Sequence, residues 1–364
     1  MRAELLEELK EITRFLSERN RLSGSPGLRE AQEYIRKFVA RNIRVPIKEE
    51  TFQVEKYIPV EGRIRVNDRE IKAYPLLGSL WGEMEGVVVR EEEDVEGKIA
   101  LARVGEERES EKARRLKERG ALAVIFYTED VDSPYFGTLN GNGLMALTVD
   151  RRTAEELTGN RVSLISRVRK TKLTCRNIYF DIGKGPFLYL IAHLDSKPFV
   201  KGAIDNALSV ALLLMIAREI RDTYSFPHRI RFLITDCEEM GLEGARHHVE
   251  NLKHTYYAIA VDSVGWVNPA VLYRDNAGYN GERIMEKFYR HLKDLKIDIP
   301  FRESKRARSD HIPFKEKGVQ TLFLTSNPFT LRHTFYDIFE SIDWDVTAMW
   351  FDVISSFLRR FHKL

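Results

Sequence analysis

The sequence predicts an α/β fold: a mixed, mainly parallel sheet sandwiched by helices and carrying an inserted β-rich domain. Three observations predict it. After residue 172, strand-like apolar runs at 187–192, 230–235, 257–261, 270–273 and 319–324 alternate with helical patterns at 204–221, 243–252, 280–295 and 344–361. Regular alternation of this kind builds a layered sheet. The stretch 204–221 is apolar on most faces, as a helix laid against a sheet would be. From about residue 58 to 171 the texture changes instead to short strands between turns. At 364 residues the chain exceeds the ~100–200 usual for one domain, so 1–57 with 172–364 reads as one domain and 58–171 as the insert.

In chain order, Leu5, Leu6, Leu9, Ile12, Phe15 and Leu16 fall on one stripe of a helix over residues 3–18. The turn Ser23-Gly24-Ser25-Pro26-Gly27 separates it from a second amphipathic helix carrying Ala31, Tyr34, Ile35, Phe38 and Val39. Within the insert, Ile99 to Val104 reads as a buried strand, 108–119 as a highly charged helix closed by Gly120, and Ala121 to Tyr127 as the next strand. The basic run Arg167-Val168-Arg169-Lys170-Thr171-Lys172 marks the boundary back to the larger domain.

Composition excludes several classes. Hydrophobic residues at 43% supply a sizeable core, which argues against disorder. The 58 basic and 55 acidic side chains nearly cancel, leaving +3, so nothing points to nucleic acid. Cys175 and Cys237 are too few for a disulfide scaffold and lack metal-finger spacing. The first residues, Met1 to Glu8, carry acids where a secretory leader needs an apolar run, and no stretch approaches the ~20 apolar residues of a membrane span. The expectation is a soluble cytoplasmic protein with no membrane partner.

The chemistry sits at predicted strand ends. The first strand after the insert runs into His193-Leu194-Asp195, a spacing that lets the Asp195 carboxylate engage the second imidazole nitrogen. Asp205 opens the apolar helix, where it could cap the N-terminus or bridge two cations. The next strand ends in Asp236-Cys237-Glu238-Glu239, and the one after in Asp262. The last apolar run leads to Leu331-Arg332-His333-Thr334. Singly, each has an ordinary reading as a surface histidine, a helix cap or a solvated acidic loop. Together they deliver His193, Asp205, Glu239, Asp262 and His333 to one side of one sheet, where crowded acids need a cation among them. Carboxylates with neutral imidazoles suit zinc, and five ligands with one bridging carboxylate suit two ions. His247 and His248 read as a solvated helix face, and Cys237 as strand-end packing.

These pieces resemble a known family, the zinc exopeptidases that include bacterial leucyl aminopeptidases, glutaminyl cyclases and glutamate carboxypeptidases (metallopeptidase family twenty-eight). The matching segments are Ala192-His193-Leu194-Asp195-Ser196, Gly202-Ala203-Ile204-Asp205-Asn206-Ala207 and Glu238-Glu239-Met240-Gly241-Leu242-Glu243-Gly244. Asp262-Ser263-Val264-Gly265, Ser309-Asp310-His311-Ile312-Pro313-Phe314 and His333-Thr334 follow in the family's order. The resemblance implies the phosphorylase/hydrolase-like sheet of these enzymes and two zinc ions per chain, with cobalt or manganese as substitutes. It assigns His193 and Asp262 to one ion, Glu239 and His333 to the other, and Asp205 to both. Glu238 resembles the general base acting on a metal-bridging water, and Asp195 the partner of His193. The peptide bond after the bridging aspartate is often cis in the family. The insert is similar to a protease-associated domain, which implies a lid or gating role.

One departure concerns Arg332, which stands where some relatives carry a tyrosine that polarises the scissile carbonyl. Arg332 and His311 are therefore the substrate-side candidates. The resulting expectation is an aminopeptidase acting on peptide substrates. The rivals are a carboxypeptidase, using Arg332 or Lys305-Arg306-Ala307-Arg308 for the substrate carboxylate, a one-zinc glutaminyl cyclase, and a non-catalytic binding module.

Overall fold

The structure, a computed structural model, describes all residues except 140, 142, 224–227 and 362–364. The chain opens with α1 (Ala3–Ser17) and α2 (Pro26–Phe38). The Ser25 hydroxyl accepts from the N–H of Leu28, and Pro26 occupies the first turn of α2, where no donor is needed. Then come β1 (Ile47–Val66), β2 (Arg69–Pro75), β3 (Gly82–Arg90), β4 (Ile99–Arg103), α3 (Glu109–Glu118), β5 (Ala123–Tyr127), β6 (Met145–Thr148), α4 (Arg151–Leu157) and β7 (Arg161–Gly183). They are followed by β8 (Phe187–His193), α5 (Leu208–Arg221), β9 (Arg229–Thr235), α6 (Glu243–Val249), β10 (Thr255–Val261), β11 (Pro269–Asp275) and β12 (Gly278–Tyr279). The chain ends with α7 (Glu282–Leu295), β13 (Phe301–Glu303), α8 (His311–Glu316), β14 (Gln320–Ser326) and α9 (Trp344–Arg360).

The strands β9, β8, β10 and β14 lie side by side and parallel, flanked by antiparallel β7 and β11. Every residue of β8 is buried, as a central parallel strand demands of an unbroken apolar run. Leu188, Leu190 and Ala192 point into the cluster shared with α1, α5 and α9, while Phe187, Tyr189 and Ile191 meet α6 and α8. The two-residue period of a strand thus puts a helical layer on each face. This is the mixed, mainly parallel sandwich expected from the sequence.

The insert is a ring of strands. The order β1-β2-β6-β5-β4-β3-β7 returns on itself through β1–β7 pairing, which leaves no open edge in that part of the sheet. Ile64, Ile99, Ile125, Leu147 and Leu164 hold it together on one side, and Ala113 and Leu116 of α3 cover Phe126 on the other. The expected boundaries at 57/58 and 171/172 fall inside β1 and β7, which run 20 and 23 residues and belong to both sheets. No turn marks the crossing, and the half-exposed, charge-rich alternation of these strands hides them from a search for apolar runs. Among the described residues, no helix is long and apolar enough to cross a membrane.

Candidate active site

His193 is the last residue of β8, Glu238 and Glu239 lie in the turn after β9, and Asp262 follows β10 directly. Asp205 sits in the kinked segment Ala203–Ala207 that leads into α5, where its own backbone is not helical, and His333 lies in the loop after β14. These are the carboxyl ends of the parallel strands, where open α/β sheets bind their ligands. The five residues form two clusters, His193 with Asp205 and Asp262, and Asp205 with Glu239 and His333, each with its ligand atoms within 4.8 Å of one another. Nε2 of His193 is 3.1 Å from Oδ1 of Asp205 and 3.8 Å from Oδ2 of Asp262. Nε2 of His333 is 3.2 Å from Oδ2 of Asp205 and 3.3 Å from Oε2 of Glu239. The two oxygens of Asp205 therefore serve opposite clusters.

Buried groups hold these side chains. Nδ1 of His193 lies 3.0 Å from the backbone carbonyl of Asp195, which leaves Nε2 free for a ligand bond. The Asp195 carboxylate, expected on that nitrogen, is 3.7 Å away and instead accepts the backbone N–H groups of Glu238 at 3.0 Å and Glu239 at 3.1 Å. The strand-end turn carries it to the acidic pair rather than to the ring. Asp337 accepts the N–H groups of Ile204 at 2.7 Å and Asp205 at 3.2 Å. The peptide bond Asp205-Asn206 is cis, and the Asn206 side chain donates to the carbonyl of Val261 and accepts from the N–H of Ser263. Cys237, Ser263 and His333 all adopt left-handed φ, between 61 and 64°. Such strain costs about 1–3 kcal/mol per residue and tends to collect at functional sites.

Several contributors carry no local signal in the sequence. Arg21, fully buried, donates to the carbonyls of Leu16, Leu194, Lys201 and Gly202 at 2.7–2.9 Å and pins the loop that presents Asp205. Buried Lys197 lies 2.8 Å from Oε2 of Glu239 and donates to the Thr138 hydroxyl at 2.7 Å. From the insert, the Tyr135 hydroxyl lies 3.2 Å from Nδ1 of His333 and accepts from Arg306 at 2.6 Å. Lys197 stands two residues beyond Asp195 and Arg306 lies in the basic loop 305–308, but neither position announced these contacts.

Free of metal, these groups share protons. Burial would raise the Glu239 carboxyl, but Lys197 and His333 outweigh it and bring it down to about 2. Burial would lower His333, but Glu239, Tyr135 and Asp205 carry it up to about 10. His193 is likewise held well above the usual imidazole value: burial works against it, and Glu238, Asp195, Asp205 and Asp262 prevail. Burial, reinforced by the neighbouring Glu239, Asp310 and Asp262 charges, keeps the Glu238 carboxyl well above the ordinary range despite His193. The imidazoles thus stand as cations where a divalent ion would take their protons' place. The residues fit such an ion: carboxylates and imidazoles suit zinc, and the buried Oε1 of Glu239 has no partner among the described residues.

Over the clusters lies a cleft of about 120 Å³, lined by Arg108, Tyr135, Glu238, Arg306, Arg308 and Arg332 among others. Arg332 thus reaches the cleft as expected, but His311 does not line it. Its ring is buried against Phe323, with Nε2 2.7 Å from Asp275, because α8 turns it into the layer beneath the sheet end. His248 is also not solvated: it is buried between Glu50 at 2.8 Å and the Tyr189 hydroxyl at 3.2 Å. Cys237 is buried in an apolar cluster with Cys175 and Met240, as expected.

Comparison with known proteins gives a family and a fold. The family described as Peptidase family M28 matches residues 177–358, half of the chain, and the PA domain matches 74–157. Aminopeptidase YwaD of Bacillus subtilis is 29% identical over 253 residues, 65% of this chain and 55% of that protein. The chain spans about half the length of the curated relatives it matches. Two solved structures share the fold: BSAP, a zinc aminopeptidase from Bacillus subtilis, at TM-score 0.77 and 22% identity over 97% of this chain and 93% of that one; and a peptidase M28 precursor from Shewanella amazonensis, at 0.78 and 18% over 98% and 95%.

Proposed function

The chain belongs to peptidase family M28, and from that premise we propose that it is a zinc-dependent exopeptidase, an aminopeptidase, with two metal ions per chain. The observation that carries this reading is the pair of ligand clusters sharing Asp205. The retention of both clusters counts against a one-metal cyclase and a non-catalytic module. His193, Asp205 and Asp262 would hold one ion, and Asp205, Glu239 and His333 the other. Bound zinc supplies two things to peptide hydrolysis: it makes a water acidic enough to ionise near neutral pH, and it polarises the scissile carbonyl.

The protein's own groups do the rest. Glu238 takes the proton of the attacking water and passes it to the leaving amine. Asp195 fixes both ends of that act, because its carbonyl sets the tautomer of His193 and its carboxylate holds the backbone of Glu238 and Glu239. Lys197 keeps Glu239 ionised as a ligand must be. Tyr135 and Thr138 bring the insert to the edge of the cleft, so the insert shapes the approach of substrate.

The test strips the protein of metal, restores zinc, cobalt or manganese in turn, and assays peptides with free and acetylated amino termini. Zinc-dependent cleavage confined to free amino termini is expected, with cobalt or manganese restoring part of it. Equal cleavage of acetylated peptides would exclude the aminopeptidase reading.

A further inference from the structure

Four guanidinium groups line the cleft: Arg108, Arg306, Arg308 and Arg332. Arg306 is committed, pairing with Glu109, bonding the carbonyl of Gly105 and donating to the Tyr135 hydroxyl at 2.6 Å. The side chains of the other three make no hydrogen bond or ion pair with any described residue, and Nε of Arg332 is buried without an acceptor. They come from separate elements: Arg108 from the cap of α3 in the insert, Arg308 from the segment before α8, and Arg332 from the residue before His333. Burial pushes Arg308 below its ordinary value, and the charge of Arg108 pushes the same way. Like charges have been gathered here without a counter-ion.

No acid in the cleft is free to answer them. Glu109 is paired with Arg306, Asp205, Glu239 and Asp262 belong to the ligand clusters, and Glu238 is the base. Once two divalent ions balance the ligand carboxylates, the cleft carries a cationic excess facing the place where substrate must enter. Arg308 also borders a second, more apolar groove lined by Tyr57, Leu77 and Met240, so it stands between the reacting centre and room for a neighbouring side chain.

We propose that the substrate carries a carboxylate beside the scissile bond, gripped by Arg108, Arg308 and Arg332. That carboxylate is either an acidic side chain flanking the cleaved bond or the free C-terminus of a dipeptide. The inference rests on the peptidase reading above and narrows it to a substrate class.

The test compares three substrate pairs on the zinc-loaded full chain: Leu-Leu against its C-terminal amide, Glu-Leu-amide against Gln-Leu-amide, and Leu-Glu-amide against Leu-Gln-amide. In at least one pair the carboxylate partner should have a kcat/KM higher by about tenfold or more, the scale of one charge-assisted bond. The pair that responds identifies the carboxylate's source. The preference should shrink as salt rises past ~0.15 M, a readout that needs no variant. It should also fall several-fold in Arg308→Gln, Arg332→Gln or Arg108→Gln, each checked for folding by its melting curve. Ratios near one in all three pairs, with zinc-dependent cleavage intact, would overturn this proposal and leave the peptidase reading standing. No cleavage of any peptide would overturn both.

Discussion

The phenol oxygen of Tyr135, from the insert, lies 3.2 Å from Nδ1 of His333, from the peptidase domain. With Nε2 of that ring turned to Asp205 and Glu239, Nδ1 carries the proton and the phenol oxygen accepts it. A side chain outside the proposed ligand set thus fixes the orientation of a proposed ligand. Tyr135→Phe removes that acceptor and leaves the ring shape. Affinity for the metal held by His333 should fall by about 10–100-fold, as for other partners of ligating histidines. Competition with a chelator measures this, and unchanged affinity would deny Tyr135 the role.

Glu238 accepts no ligand assignment, so its loss should separate binding from chemistry. Glu238→Gln should lower kcat by about 10²–10⁴-fold, with the zinc content of the purified protein unchanged. Near-normal turnover in that variant would remove Glu238 as the base.

Metal binding should release protons. His333, up at about 10, and His193, also raised, hold protons at neutral pH in the metal-free protein. Zinc must expel on the order of two protons, so its affinity rises with pH. The sign for stability is opposite in the metal-free protein. A raised imidazole stabilises fully below its ordinary value of 6.5, and that contribution is lost as pH rises through about 10. The gap in melting temperature between zinc-loaded and stripped protein should therefore widen from about pH 6 to pH 9. Calorimetry in buffers of different ionisation enthalpy counts the protons, and a count of zero would contradict the proton-filled site.

His311 and Asp275 form an acid-sensitive pair away from the cleft. Burial holds His311 below the usual imidazole value. As pH falls under about 6.5 the unfolded chain takes up this proton before the folded one, so stability drops. Burial would raise Asp275, but bonds from His311, Ala277 and Lys315 hold it below its ordinary value. Its contribution is present above that value and lost as pH falls through the folded one. Asp275→Asn should cost about 1–3 kcal/mol at neutral pH, with the difference closing below about pH 4. Denaturant titrations at several pH values check both stages.

Arg21→Lys keeps the charge but cannot reach four carbonyls at once. Unfolding free energy should fall by about 2–4 kcal/mol, because buried carbonyls lose their donors. A denaturation midpoint unchanged from the wild type would show that water replaces the guanidinium.

The candidate ligands were legible because His193, Glu239 and Asp262 follow apolar strand runs, Asp205 opens an apolar helix and His333 lies in the loop after the last run: the run announces itself, and the polar residue at its edge stands out. His193, Asp205, Glu239, Asp262 and His333 converge in the structure as that logic requires. What was not legible came through tertiary packing. Tyr135 and Arg108 reach the cleft only because the ring of strands is set beside it, a placement that local spacing does not encode. His311 sits in a motif near the ligands, yet a single helical turn faces it toward Asp275. His248 looked like one of two surface histidines, but Glu50, 198 positions away, and Tyr189, 59 positions away, lie on strands that only the sheet brings under α6. Long strands that alternate charged and apolar residues were the hardest elements to see, since their two faces average to nothing distinctive.

Those strands decide how the two halves of the molecule can move. Paired along almost their whole length, β1 and β7 form a ribbon of about 65 Å, with one irregularity, between Pro59 and Glu61. A domain on a flexible tether swings freely, whereas one built on a continuous ribbon, and tied again to the peptidase domain through Tyr135, Thr138 and Glu109, moves by elastic bending of that ribbon. The bulge is its compliant point, because an interrupted ladder bends and twists more readily than an intact one. Load placed on the tip of the insert is thus delivered to the loops around Tyr135 and Arg108, so the spacing of the cleft depends on the stiffness of a stretch of backbone that touches no ligand.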